Sequence, residues 1–178
     1  MEAQILSDHV YEQLGILLEY PTDDDFVALK SVIDTVKPIF KEAAGYLEDF
    51  YSRMRRMDLN QRQEFYVQSF DVMPKCSLYL SIYLFGEESF KRPELMTGLI
   101  NVYERHGAFT LTELPDHLAV VLKRFKSFKE DEWSELVEMC VLPALGKMIK
   151  GLEKNQNPYA NILKAIQVFM TETEKSHV

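Results

Sequence analysis

The sequence predicts an all-α fold, a single-domain helical bundle that spans residues 1–178. Apolar residues recur at intervals of three and four along most of the chain. No segment alternates apolar and polar residues over the length of a strand, and no Asn-Gly or Asp-Gly pair marks a hairpin turn. A domain of 178 residues, 47% of them hydrophobic, buries roughly 70% of its unfolded surface without a disulfide or a metal.

The first two helical segments are bounded by proline. One ends at Tyr20-Pro21, because the residue before a proline is disfavoured in the helical conformation. The next begins at the three aspartates of residues 23–25, whose carboxylates suit the positive end of a helix dipole. It is interrupted near Pro38 and continues to about Met54.

Two further helical segments follow. Asp58 and Gln61 have the spacing of a capping box, and the helix that they begin is predicted to run until Met73-Pro74. From Pro74 to Phe85 the sequence is apolar almost all round. This pattern predicts a central buried helix, ended by Gly86.

The second half of the chain places a polar motif between two helices. Pro93 is predicted to open a helix that ends at Gly107. Residues 113–117, with the sequence Glu-Leu-Pro-Asp-His, then predict the entry to the next helix. Because proline suits the start of a helix, Asp116 and His117 are expected in the first turn.

The last two segments complete the predicted bundle. A long helix from Trp133 to Ile149 is expected to bend near Pro143 and Gly146. Asn157-Pro158 has the form of an N-cap followed by proline at the first helical position. The tail of residues 171–178 is expected to fray.

Composition and charge exclude several classes of protein. A net charge of -8 and the lack of clustered Lys and Arg argue against a nucleic-acid partner. The densest apolar run, Cys76–Phe85, is half of what a bilayer core requires, so no stable membrane insertion is expected. No secretion signal is recognised at the N-terminus. Cys76 and Cys140 lack metal-ligand spacing and are expected to be reduced core thiols, which favours a cytoplasmic location.

Catalytic signatures are absent from the sequence. It contains no P-loop, no dinucleotide-binding fingerprint and no zinc-binding helix motif, so neither an enzyme nor a bound cofactor or metal is predicted. The alternative is a metal-dependent hydrolase centred on His106, Asp116 and His117, with Glu113 as a further ligand.

A second candidate region is aromatic. Tyr66 and Phe70 are four residues apart and share a helical face, and Tyr79 and Tyr83 repeat the spacing. Such aromatic residues either belong to the core or line a groove that receives an apolar segment of another chain. Their exposure would separate these two interpretations.

Four motifs occur in an order that resembles one family. They are YxxxFD at residues 66–71, SLYL followed by Gly-Glu at residues 77–87, YxxHG at residues 103–107, and ELPDHL at residues 113–118. This order is similar to that of the nitrate reductase delta-subunit (NarJ-type) assembly chaperones, part of the wider TorD-like group. The resemblance is strong over residues 64–125 and is supported more weakly by residues 14–21 and 157–160.

The resemblance implies an all-helical cytoplasmic chaperone. Such proteins bind the N-terminal segment of the catalytic subunit of a molybdenum enzyme, often a twin-arginine signal or its remnant. They hold that subunit until its molybdopterin cofactor is inserted, before membrane attachment or export. A permanent structural subunit is a weaker alternative, and dimerisation by helix swapping stays open.

The resemblance also implies a set of binding residues. Asp116 and His117 are the candidates for peptide recognition, while Glu113 and Pro115 shape the loop. The aromatic residues Tyr66, Phe70 and Tyr79 supply apolar contacts or support for a groove. Replacing Asp116 and His117 with alanine is therefore expected to weaken peptide binding without unfolding the protein.

Elementary electrostatics agrees with this assignment. Carboxylates beside an apolar groove suit a peptide in which guanidinium groups precede an apolar stretch. With an ordinary pKa of about 6.5, His117 is expected to tune the local charge near neutral pH. The chain departs from the family pattern at Tyr83 and Phe85, where many members have histidines, and at Pro93, where many have glycine.

Overall fold

The computed structural model describes the backbone of residues 2–72, 76–107 and 113–176, and the side chains in these ranges except at residues 2–8, 106, 175 and 176. Over these residues the chain is helical and contains no strand, which confirms the all-α prediction. The helices are, in chain order, α1 (Glu2–Ile16), α2 (Asp23–Val36), α3 (Lys41–Met54), α4 (Leu59–Phe70), α5 (Leu80–Phe85), α6 (Lys91–Tyr103), α7 (Leu118–Lys123), α8 (Glu130–Leu136), α9 (Leu142–Glu153) and α10 (Tyr159–Ser176). Short 3₁₀ turns follow α6 at Glu104–His106 and α7 at Phe125–Ser127.

Side-chain caps fix several helix starts where the sequence predicts them. The Asp58 carboxylate accepts a hydrogen bond from the Gln61 amide at 2.9 Å, and the Gln61 side chain accepts one from the Asp58 amide at 3.0 Å. Asn157 caps α10 in the same manner, because its side-chain oxygen accepts a bond from the Tyr159 amide at 3.0 Å. The capping box and the Asn157 cap are therefore confirmed.

The predicted central helix over residues 74–85 is wrong in extent. Of its described residues, 76–85, only those of α5 are helical, and Tyr79 has an extended backbone with φ -90° and ψ 118°. The amide of Leu80 and the carbonyl of Leu78 bond to a distant segment of the chain, so they are not available for a continuous helix. The predicted break at Met73-Pro74 lies outside the described residues.

The α6 helix begins earlier than predicted. Its first residue is Lys91, so Pro93 lies within the first turn and does not open the helix. Gly107 follows the 3₁₀ turn with φ 106°, a left-handed conformation that glycine adopts without strain. The predicted terminator is therefore confirmed.

The helix predicted over residues 133–149, with a bend near Pro143 and Gly146, changes its helix type just before Pro143. A π-helical turn at Val137–Val141 joins α8 to α9, and Pro143 lies in the first turn of α9. Because proline lacks an amide hydrogen and its ring crowds the preceding turn, a wider turn is favoured at this point. Gly146 lies inside a regular stretch of α9.

The C-terminal helix extends further than predicted. α10 continues to Ser176, although fraying was expected from Thr171. Thr173 is buried, and its hydroxyl lies 3.1 Å from the hydroxyl of Tyr11 in α1. This contact with α1 holds the last turns of α10 against the core.

Two aromatic clusters form the centre of the main core. Tyr11 lies 4.7 to 5.1 Å, between ring centroids, from Phe125, Trp133 and Phe169. Tyr159 contacts a second set of rings, which are Phe50, Phe65, Tyr66 and Phe70. The clusters join α1, α4 and α10 to the rest of the bundle.

None of the helices in the described part of the chain combines the length and the apolarity that a membrane crossing requires.

Close packing of α1 on α7 depends on Gly15. A Cβ atom at this position would lie 2.9 Å from the backbone oxygen of Ala119 and 2.8 Å from Cγ of Lys123. The first of these atoms belongs to the backbone and cannot move without shifting α7. Glycine is therefore required for this approach of the two helices.

We expect Gly15→Ala to lower the free energy of unfolding by about 1–2 kcal/mol, because the clash outweighs the better helix propensity of alanine. The control is Gly45→Ala in α3, where an added Cβ meets no atom within 4 Å. This control is expected to be neutral or slightly stabilising. Urea denaturation of both variants tests the prediction, which equal unfolding free energies would contradict.

Candidate functional site

The polar motif of residues 113–117 forms a turn in front of α7. The amide of His117 donates to the carbonyl of Leu114 at 3.0 Å, and α7 begins only at Leu118. The prediction that Asp116 and His117 occupy the first helical turn is therefore wrong. His117 is instead the N-cap of α7, because its Nδ1 accepts a hydrogen bond from the amide of Ala119 at 3.3 Å.

This turn is paired with the extended residues before α5. Tyr79 and His117 form an isolated antiparallel bridge. The amide of Leu80 donates to the carbonyl of Asp116 at 3.0 Å, and the amide of Leu118 donates to the carbonyl of Leu78 at 2.8 Å. We name this paired unit, residues 76–81 and 113–118, the junction.

The Asp116 carboxylate is fully buried inside the junction. Its Oδ2 accepts hydrogen bonds from the amide of Ser81 at 3.1 Å and from the Ser81 hydroxyl at 2.5 Å. The same hydroxyl accepts a bond from Nε of Arg92 at 2.9 Å. Oδ1 is also buried and has no partner among the described residues. In this conformation a peptide cannot reach the carboxylate, which instead bonds the turn to Ser81.

Two tyrosine hydroxyls donate hydrogen bonds to residues of the turn. The hydroxyl of buried Tyr103 donates to the carbonyl of Pro115 at 2.9 Å, which fixes the backbone of this buried proline. The hydroxyl of Tyr79 donates to Oε2 of Glu113 at 2.7 Å. Burial, followed by the bond to Glu113, raises the pKa of Tyr79 above its usual value, so the hydroxyl stays protonated and donates.

The outer side of the junction is exposed. Glu113 lies at the surface, Leu114 is 46% exposed, and Tyr79 is half-buried. We name these three residues the Glu113 surface. It combines an accessible carboxylate with apolar area, on a backbone that the buried hydrogen bonds hold in place.

Burial and a cap hydrogen bond both favour the uncharged form of His117. It is 6% exposed, and burial lowers its pKa below the ordinary value despite the nearby carboxylates of Glu113 and Asp116. Its Nδ1 accepts a hydrogen bond, which requires that this nitrogen carry no proton. The lowered pKa and the cap bond both argue against the expectation that His117 tunes the local charge near neutral pH.

The aromatic residues of the sequence motifs divide by exposure. Tyr66 and Phe70 are buried in the main core, and the Tyr66 hydroxyl donates to the carbonyl of Leu18 at 3.0 Å. They can support the junction but cannot touch a ligand in this conformation. Tyr83 is half-buried, and its hydroxyl accepts a bond from the amide of Ser77 at 2.9 Å.

Sequence reasoning missed Ser81 and Arg92. Ser81 is fully buried and supplies both donors to Asp116, although 35 positions separate them in the chain. A serine in an apolar run was the available signal, because a buried hydroxyl requires a partner.

The described side chains give no support to a metal-dependent hydrolase. Among the described residues there is no group of three His, Cys, Asp or Glu side chains that could hold a metal ion. Oδ2 of Asp116 and Nδ1 of His117 already accept hydrogen bonds from the protein. The side chain of His106 lies outside the described residues. Cys76 and Cys140 are both free thiols, although Cys140 is only partly buried.

Comparison with known proteins identifies relatives that span most of this chain. A family model described as the nitrate reductase delta subunit matches residues 34–173. NarJ of Bacillus subtilis (strain 168), a candidate nitrate reductase molybdenum cofactor assembly chaperone, is 28% identical over 160 residues, covering 88% of this chain and 85% of its own length. The nitrate reductase molybdenum cofactor assembly chaperone NarJ of Escherichia coli (strain K12) is 30% identical over 148 residues, covering 81% of this chain and 62% of its own.

A solved structure has a similar fold. The crystal structure of a candidate redox enzyme maturation protein from Archaeoglobus fulgidus superposes with a TM-score of 0.61, at 20% sequence identity and with 93% of each chain covered. The sequence relatives are chaperones by name, so the prediction of a chaperone family and not an enzyme family is confirmed.

We expect Asp116→Ala to lower the free energy of unfolding by about 2–3 kcal/mol, because it leaves the buried amide and hydroxyl of Ser81 without an acceptor. Glu113→Ala, at an exposed position, is the control and is expected to change stability by about 0.5 kcal/mol or less. Urea denaturation measures both, and an equal cost for the two variants would show that the buried link contributes nothing.

The lowered pKa of His117 predicts a pH-dependent stability. The unfolded state binds the proton more tightly, so the contribution is complete above about pH 6.5 and is lost as the pH falls through the lowered folded-state pKa. His117→Asn keeps a side-chain acceptor for the cap but does not titrate. Unfolding free energies at pH 7.5, 6.5 and 5.5 should therefore fall more steeply for the unmodified protein. Parallel curves would refute the assignment.

Proposed function

The chain belongs to the nitrate reductase delta subunit family, and we propose that it binds the N-terminal segment of the catalytic subunit of a nitrate reductase or related molybdenum enzyme. In this proposal it holds that subunit until the molybdopterin cofactor is inserted, before membrane attachment or export. The names of the relatives support the cofactor-assembly part of the proposal, since both describe molybdenum cofactor assembly chaperones.

One observation carries the peptide-binding part. The Glu113 surface offers an exposed carboxylate, an exposed leucine and a half-buried tyrosine on a backbone fixed by buried bonds. An arginine of the client pairs with Glu113, because a guanidinium and a carboxylate form a strong charge-assisted hydrogen bond. Leu114 and the ring of Tyr79 contact the apolar residues that follow. A twin-arginine signal or its remnant has this chemistry.

The other residues of the predicted site have supporting roles in this proposal. Asp116, His117 and Pro115 hold the turn through Ser81, the amide of Ala119 and Tyr103. Tyr66 and Phe70 support the bundle from the core.

Recognition of this kind suits a temporary complex. A micromolar complex requires about 8 kcal/mol net, which a few apolar anchors and one ion pair can supply. The net charge of -8 attracts a basic segment over longer range.

The proposal includes a cytoplasmic location, since a chaperone that acts before export meets its client there. Helix swapping into a dimer stays a prediction.

The test is calorimetric titration with a synthetic peptide of about 30 residues from the N-terminus of the catalytic subunit encoded by the same genome. We expect Glu113→Gln to weaken binding about 3- to 10-fold, through the loss of a partly exposed ion pair. Tyr79→Phe removes the hydroxyl that competes for Glu113 and keeps the ring, so it should bind as well as the unmodified protein or better.

The pair of variants separates recognition from simple disorder of the turn. If both variants lost affinity equally, the bond between Tyr79 and Glu113 would act by holding the turn in place, and Glu113 would not be assigned a direct contact with the peptide. If Glu113→Gln bound with unchanged affinity, Glu113 would not contact the peptide. Complete absence of binding by the unmodified protein would contradict the proposed function itself.

A further inference from the structure

A second open surface lies between α6 and the α8 helix with its π-helical turn. It is a groove of about 430 Å³ that shares no residue with the Glu113 surface. Its apolar lining consists mainly of Leu95, Leu99, Val102, Phe128, Leu136 and Met139. We name it the α6–α8 groove.

The floor of this groove is a small hydrophobic cluster separate from the main core. Leu99, Tyr103 and Val120 form its buried part, while Phe128 and Leu136 pack against it and are only partly buried. The buried residues therefore hold the floor in place, while the partly buried residues expose apolar area to the groove.

The π-helical turn contributes an exposed apolar side chain to the same groove. Met139 lies in this turn, lines the groove and is 65% exposed. Methionine is unbranched and polarisable, so it adapts to apolar partners of different shape. Turns of this type are also common at functional positions of helices.

The rim of the groove is acidic. Glu94, Glu132 and Glu135 line it, and no Lys or Arg does. Glu132 of α8 forms an ion pair with Arg105, which lies in the 3₁₀ turn after α6. This pair connects the two helices that border the groove. Glu94 and Glu135 form no ion pair with a described side chain, so their carboxylates are available to a basic partner.

We propose that the α6–α8 groove docks a basic amphipathic helix of a partner protein. An amphipathic helix places apolar anchors at positions i, i+3 or i+4, and i+7 in an apolar groove, and its flanking Lys or Arg side chains meet the carboxylates of Glu94 and Glu135. A second copy of this chain is a poor occupant, because each copy carries a net charge of -8. The inference is independent of the peptide site at the Glu113 surface.

A substitution at Gly98 can block the groove without disturbing the fold. It lies in α6, lines the groove, is exposed, and has no atom within 4 Å of an added Cβ. Gly98→Trp therefore fills the groove from one wall. The matched control is Gly45→Trp, at an exposed helical glycine of α3 that is equally free of contacts and does not line the groove.

The experiment measures fluorescence anisotropy of labelled helical peptides titrated with the full chain. The probe is a peptide of about 18 residues, five helical turns, with leucines on one face and lysines on the other. A scrambled peptide of the same composition and an acidic peptide with glutamate in place of lysine are the controls. Circular dichroism confirms that each protein variant is folded.

We expect the basic amphipathic peptide to bind more tightly than either control peptide. Gly98→Trp should weaken its binding about tenfold or more, and the double variant Glu94→Gln, Glu135→Gln should weaken it by a smaller factor that shrinks with added salt. Gly45→Trp and Glu12→Gln, an exposed carboxylate in α1, should leave the affinity unchanged.

Three results would overturn the proposal. Equal affinity for Gly98→Trp and Gly45→Trp would show that the peptide binds elsewhere. Equal affinity for the periodic and scrambled peptides would show binding by charge alone. If the chain formed a dimer in solution that Gly98→Trp dissolved, the occupant would be a second copy and not a basic helix. None of these results depends on whether a client's N-terminal peptide binds the Glu113 surface.

Discussion

The hydrogen bonds between the buried carboxylate of Asp116 and Ser81 are the interaction on which the candidate site depends. A carboxylate removed from water is costly unless donors satisfy it, and Ser81 supplies an amide and a hydroxyl. The link joins segments 35 residues apart, so it forms only when the bundle is assembled. Once formed, it fixes the turn that carries Glu113 and Leu114 at the surface. Asp116, which the sequence predicts to recognise a peptide, is therefore buried and holds its exposed neighbours Glu113 and Leu114 in position.

Tyr103 connects the junction to the α6–α8 groove. Its hydroxyl holds the carbonyl of Pro115, while its ring lies 5.9 Å from that of Phe128, which lines the α6–α8 groove. The two open surfaces therefore rest on one buried side chain. A chaperone that keeps an unfinished subunit in place gains from contacts at two separate points, because simultaneous binding raises the effective affinity without making either contact tight.

The parts of the fold that local chemistry determines are predictable from the sequence. The Asp58 capping box, the Asn157 cap and the Gly107 terminator each depend on residues within a few positions, and all three are where the sequence predicts them. The extended residues before α5 are different. An apolar run does not distinguish a buried helix from a buried extended segment, and here the choice is made by pairing with residues 116 and 118. Burial of Asp116 was hidden for a related reason: a serine in an apolar run indicates that its hydroxyl requires a partner, but it does not indicate that the partner lies 35 residues away.

In the proposed function, the buried link between Asp116 and Ser81 presents the Glu113 surface to a client's N-terminal segment. Nuclear magnetic resonance of the labelled chain, titrated with that peptide, tests this most directly. We expect the resonances of Tyr79, Glu113 and Leu114 to shift with peptide concentration, while the amide of Ser81 keeps its bond to Asp116 and changes little. Peptide binding that left these three resonances unchanged, or that released the Ser81 amide to exchange with solvent, would contradict the account.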